Sequence, residues 1–412
     1  MRQGAILRDC LSTKRRRSGA RRLPEGCRSF ASERPSRFIR CGVLGRANHL
    51  RREMSCKRNC RKSSDLTHEE TASRLAPSIQ ASTGTSSSRL SVLDGWRALS
   101  ILLVIAGHWL PIGHASWELN AAVAASGMAL FFCLSGFLIT KLLHSDPTVR
   151  DFLVKRIFRI VPLAWLAMII LIVVNQPNFA TSIANLGFYA NLPPARLMEG
   201  GEHLWSLCVE VQFYLFAALL VALCGRKGLL LLPIAAVGVS ALRISDGEII
   251  SIVTWHRVDE ILAGACVALV WINFPPRENS RIPAWLPPLA ILLLMVASLP
   301  QAGAFGYFRP YIAALAIGSS LYAFPRMLGK IWTGKAARYI AEISYSLYVW
   351  HAMLQATPLG GNEQDTIVKY LLRVPLALAT WLLSHLSTRH FEMPLTKLGR
   401  RLIRRKVGAA AN

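Results

Sequence analysis

The chain has 412 residues, 52% apolar and only 17% charged, yet its net charge is +25. That combination argues against a soluble domain and points to several membrane crossings joined by basic loops. Nucleic-acid binding, the other usual meaning of such a charge, is disfavoured because the base is spread between apolar runs and builds no basic face.

Residues 1–90 carry 21 Lys and Arg against 7 Asp and Glu. KRRR at 14–17 and RRE at 51–53 sit among Ser, Thr, Gly and Pro, with no sustained apolar period. Such a stretch is too poor in apolar surface to offset its chain entropy, and it is expected to be disordered. It has no apolar core of the kind a signal peptide needs. It reads as a solvated cytosolic tail, as a start placed too early with Met54 as a later one, or as a binder of anionic lipid headgroups. Of nine Cys, five fall in this tail and four in apolar runs, so free thiols are expected rather than a disulfide framework. Cys56 and Cys60 have no second pair at zinc-site spacing, and no metal site is expected.

From residue 91 onward, apolar runs long enough to cross a bilayer recur about ten times. They fall near 95–113, 121–143, 153–174, 204–224, 228–243, 250–273, 284–300, 308–325, 337–357 and 367–388. The expected fold is therefore all-α: about ten transmembrane helices in one bundle over 91–400, with a basic C-terminal tail at 401–412. Base alternates from loop to loop. Lys141, Arg150, Lys155, Arg156 and Arg159 lie around the second connection, and Arg226 and Lys227 follow the fourth span. Arg326, Lys330, Lys335 and Arg338 precede the ninth span. The opposite connections hold little beyond Arg196, Arg243, Arg309, Lys369 and Arg373. Positive-inside bias then puts both termini in the cytoplasm of an inner (plasma) membrane protein.

The first span, LDGWRALSILLVIAGHW, holds three ionisable groups. Eleven residues advance a helix by about 20° in azimuth and roughly 16 Å in rise, so Arg97 and His108 lie on one stripe, with Asp94 beside them. A charge in lipid costs several kcal/mol, so this stripe must face the bundle and line a polar path from the cytoplasmic surface. FFCLSGFLIT in the second span has no GxSxG elbow, so Ser135–Gly136 is expected to serve close helix packing. In the fourth span Ser206, Glu210 and Tyr214 recur at i, i+4, i+8 on one face. The sixth carries HRVDEILAG, where Arg257 and Glu260 can neutralise each other at i, i+3. In the ninth, Ser344, Tyr348 and His351 share a face, with His351 toward the outer half.

Seven motifs in order, LDGWRALSILLVIAGH, FFCLSGFLIT, KRIFRIVPLAW, LWSLCVEVQFYLF, RVDEILAGA, ISYSLYVWH and FEMPL, resemble the membrane-bound acyltransferase-3 family from about 91 to 400. That family includes acetylases of O-antigen, exopolysaccharide and nodulation-factor sugars. The resemblance implies an O-acyltransferase that moves an acyl group, commonly acetyl, from cytosolic acyl-CoA to a hydroxyl of a cell-surface or secreted carbohydrate. Acyl-CoA is then a co-substrate, and no bound cofactor is implied. The implied catalytic residues are His108, Arg97 and Glu210, with His108 as general base or transient acyl carrier. Arg97, Arg156 and Arg159 are expected to hold the donor phosphates. Asp94, Trp205, Tyr214, Tyr348 and His351 are expected to support the site or bind acceptor. Val211 stands where the family has a second Glu, which weakens any two-carboxylate mechanism. The rival reading is a proton-coupled transporter in which His and Glu at depth form a relay. The expected partners are the lipid bilayer and the carbohydrate.

Overall fold

The computed structural model describes residues 90–276, 281–361 and 364–409. The expected disordered tail lies outside them, as do its five cysteines. The described residues form helices and connections, with no strand among them. Each expected span is helical. We label them α1 (Ser91–Trp109), α2 (Leu119–Ser145), α3 (Val149–Asn175), α5 (Trp205–Cys224), α6 (Leu232–Asp246), α7 (Asp259–Asn273), α8 (Leu286–Ala297), α9 (Arg309–Ser320), α10 (Lys335–Gln355) and α11 (Thr366–Ser387). A short helix α4 (Phe179–Leu186) and a C-terminal helix α12 (Met393–Ala409) complete the set used below. Among the described residues, five helical stretches have the length and hydropathy to cross a membrane: Ser91–Trp109, Leu119–Ser145, Val149–Asn175, Glu202–Asp246 and Thr366–Ile403.

The distribution of polarity is that of a protein in lipid. Val173, Val174, Leu215, Leu219, Leu371 and Leu378 stand exposed on the outside of the bundle. Glu210, Arg243, Arg257, Asp259, Glu260, Arg309 and His351 are buried inside it. Water would favour the reverse; hydrocarbon outside and polar groups inside is the arrangement a bilayer selects.

Helix α2 is central, packing against α1, α7 and α9, while α10 lies against α1 and α11. The α2–α7 crossing depends on two glycines. A Cβ on Gly136 would stand 1.8 Å from the Ile261 carbonyl oxygen, and one on Gly264 would stand 1.9 Å from that of Cys133. Backbones this close gain contact that lipid cannot replace. We predict that Gly136→Val forces the helices apart and costs about 1–3 kcal/mol or more, seen as poor membrane accumulation and a lower melting temperature in detergent. Normal accumulation and melting would contradict this crossing. Trp96, wholly buried, fixes α1 to α9 by donating its indole N–H to Ser320 Oγ at 2.8 Å.

The expected Arg257–Glu260 pair is present at 3.3 Å, but it is part of something larger. Glu260 also accepts from Arg309 at 2.8 Å, and Asp259 pairs with Arg243. Arg243 and Arg309, which the loop count treats as outer-loop base, are 3% and 1% exposed. They are helix-end residues whose side chains turn back to buried carboxylates instead of facing water. Arg243 also donates to the carbonyls of Glu248, Ile249 and Gly306, which ties α6 to the connection before α9.

Candidate active site

Helix α1 carries chemistry at both ends. It stops at Trp109, four residues earlier than expected, because Leu110 is extended before Pro111. The Asn120 amide caps this end, donating to the carbonyls of Gly107 at 2.8 Å and Leu110 at 2.6 Å. His108 therefore sits in the last turn and is exposed, where a position deeper in the membrane is expected from the sequence.

Its partner comes from α10, which runs parallel to α1. His108 Nδ1 lies 3.1 Å from His351 Nε2, and the rings are nearly parallel with centroids 5.1 Å apart. His351 is fully buried, and its Nδ1 lies 2.6 Å from the Tyr348 carbonyl oxygen. A third imidazole, His203, stands edge-on to His351 with centroids 5.1 Å apart, its Nε2 3.1 Å from the Val349 carbonyl oxygen. The Gln355 amide donates to the His108 carbonyl at 3.3 Å, closing the α1–α10 contact.

The other end of α1 opens into a basic cavity. Its mouth is lined by Asp94, Arg97, Lys141, Lys155, Arg156, Arg159 and Arg400. A narrower inner chamber shares Arg97, Arg156 and Arg159 with the mouth, and continues past Ser100, Ser135, Glu210 and Tyr214 to Val104, Met128, Phe131 and Tyr348. Arg156 and Arg159 reach it from consecutive turns of α3, the i, i+3 spacing that puts both on one face. Lys155 points partly away and pairs with Asp146 at 3.3 Å.

Glu210, implied as catalytic together with His108, lies in a different part of the site. It is buried and accepts from both the Ser135 and Tyr214 hydroxyls in the inner chamber, on the side of the arginines. Ser135 is thus a hydrogen-bond donor to a carboxylate, while its neighbour Gly136 supplies the close packing expected of both. Tyr348 lines the chamber: its ring lies parallel to that of Phe131, with centroids 5.9 Å apart at 9°, and its hydroxyl is held by Ser206 Oγ at 2.5 Å and by the His203 carbonyl. His108 and His351 lie beyond that stack and line neither cavity. Trp205 is also away from both; it packs on Phe132 and lies under the Arg257 guanidinium at 5.5 Å. Sequence periodicity does not single out His203 or the buried Glu392, which accepts from Ser346 and Thr388.

One helix thus joins an arginine-lined cavity at one end to an accessible imidazole at the other. Such a site, inside a lipid-facing bundle, defines an integral-membrane protein with an internal polar cavity. The chain belongs to the acyltransferase-3 family, whose acyltransferase domain matches residues 90–385. It is similar to the peptidoglycan O-acetyltransferase OatA of Listeria monocytogenes, 26% identical over 356 residues, covering 74% of this chain and 56% of that protein. It is also similar to Nodulation protein 10 of Rhizobium leguminosarum bv. viciae, 24% identical over 394 residues, covering 82% of this chain and all of that protein. The chain thus spans little more than half the length of the first relative. No solved structure matches it.

Proposed function

We propose that this protein is an O-acyltransferase of the inner (plasma) membrane. It moves an acyl group, acetyl by preference, from cytosolic acyl-CoA to a hydroxyl of a carbohydrate on the far side. The observation that carries this reading is the placement of Arg97 and His108 at opposite ends of α1, roughly 16 Å apart along its axis. Ten helical segments at the expected places, with base-rich connections at the Arg97 end, support ten crossings and two cytoplasmic termini.

Acyl-CoA carries several phosphates, and the mouth supplies guanidinium groups suited to them. Arg97, Arg156 and Arg159 hold the phosphate end. The acyl-bearing arm passes through the inner chamber, displaces the Phe131–Tyr348 stack and presents its thioester beside His108. There the imidazole takes the proton of the acceptor hydroxyl as the oxygen attacks the thioester carbonyl, and returns it to the departing thiolate. Glu210, with Ser135 and Tyr214, offsets the charge of the arginines inside the chamber. Acetyl is favoured because the first relative is named an O-acetyltransferase.

The direct test compares the mass of surface glycans from cells with and without the protein, alongside membranes given labelled acetyl-CoA. A gain of one acetyl unit, with label entering glycan, is expected. Label that stays in CoA, or a substrate that crosses unmodified, would replace the enzyme with a transporter. A second prediction concerns the donor. Arg156→Gln should raise the KM for acyl-CoA about tenfold, the loss of roughly one charge-assisted hydrogen bond. A variant with unchanged KM would remove Arg156 from donor binding.

A further inference from the structure

The three imidazoles at the far end of α1 contain a directional feature. A peptide carbonyl only accepts hydrogen bonds, so the proton between His351 Nδ1 and the Tyr348 carbonyl, 2.6 Å apart, belongs to Nδ1. A neutral imidazole protonated there presents a bare lone pair at Nε2. That lone pair faces His108 Nδ1 at 3.1 Å, so His108 is the donor and carries its own proton on Nδ1. The reactive lone pair of His108 is then Nε2. His203 does not compete, since its Nε2–H is directed at the Val349 carbonyl and it meets His351 only edge-on.

We infer that His351 is a positioning residue: anchored to the Tyr348 carbonyl, it fixes the tautomer of His108 so that Nε2 is the nitrogen that takes the acceptor proton. The inference rests on the proposed role of His108 and adds which of its atoms reacts and what selects it. The orienting group in such arrangements is often a carboxylate. Here it is a second, fully buried imidazole. As His108 Nε2 gains a proton, its Nδ1–H strengthens its bond to His351 Nε2, so part of the new positive charge is shared across the pair.

The test uses the full-length protein in membranes, with acetyl-CoA and acceptor. His351→Ala should lower kcat about 100-fold, the low end of what an acid–base group contributes, while the KM for acetyl-CoA stays unchanged. Nδ1-methylhistidine is then incorporated at position 108 in the His351→Ala background. The methyl group fixes the same tautomer covalently and leaves Nε2 free, so activity should recover at least tenfold over His351→Ala alone. His351→Gln, whose amide oxygen reaches the place of Nε2, should also retain more activity than His351→Ala. A structural role alone would not respond to a methyl group on the other ring. Wild-type turnover by His351→Ala would overturn the inference, and so would failure of the methylated ring to recover activity in a protein that accumulates and melts normally. If His108→Ala itself transfers acetyl normally, the underlying reading fails, and this is a separate outcome.

Discussion

His108→Ala is expected to lower acyl transfer by about 10²- to 10⁴-fold, the contribution of a positioned general base. The protein should still enter the membrane, because His108 is exposed at the end of α1 and its removal leaves no large cavity. The loss should fall on kcat, since the cavity arginines proposed to hold the donor stand at the other end of the helix. Labelled acetyl-CoA with membranes of the variant measures it. A variant that still acylates the acceptor at the normal rate would end the assignment of His108.

Glu260→Leu is expected to have an equally large effect of another kind. Glu260 is wholly buried and serves two guanidiniums, Arg257 at 3.3 Å and Arg309 at 2.8 Å. Removing one partner of a buried ion pair strands the remaining charge at a cost of about 3–5 kcal/mol, far more than the intact pair contributes in net terms. Here two cations lose their counter-charge, so the variant should fail to accumulate or should melt well below the wild type in detergent. Replacing Glu260, Arg257 and Arg309 together by apolar residues should recover part of the loss. A Glu260→Leu protein of normal melting temperature would show that the cluster is not structurally important.

The helices were legible because a bilayer imposes long apolar runs, and each expected run contains a helix. What hydropathy could not place was the exact end of a run. The residues 110–113 are apolar enough to extend the first span, but Pro111 ends the helix, and this moves His108 from the interior to the rim. Side-chain reach was the second gap. Arg243 and Arg309 sit at helix ends and look like loop base, yet their long side chains fold back to Asp259 and Glu260. His203 was missed because it precedes the fourth span in a short 3-10 turn with no periodicity. A usable signal existed: His108 and His351 lie near the C-terminal ends of their helices and His203 just before the N-terminal end of the next span, so alternating topology brings all three to one side. Glu392 escaped because it sits on a single π-helical turn, Thr388–Glu392, whose register no apolar pattern reveals.

The stacked rings of Phe131 and Tyr348 have a bearing on the energetics of the whole cell. A polar passage that opened at both faces would let protons and small cations run down their gradient. Phe131 and Tyr348 both line the inner chamber, their rings nearly parallel with centroids 5.9 Å apart. Under the proposed transfer across the bilayer, this pair marks the place where the passage must stay narrow except while an acyl-bearing arm occupies it.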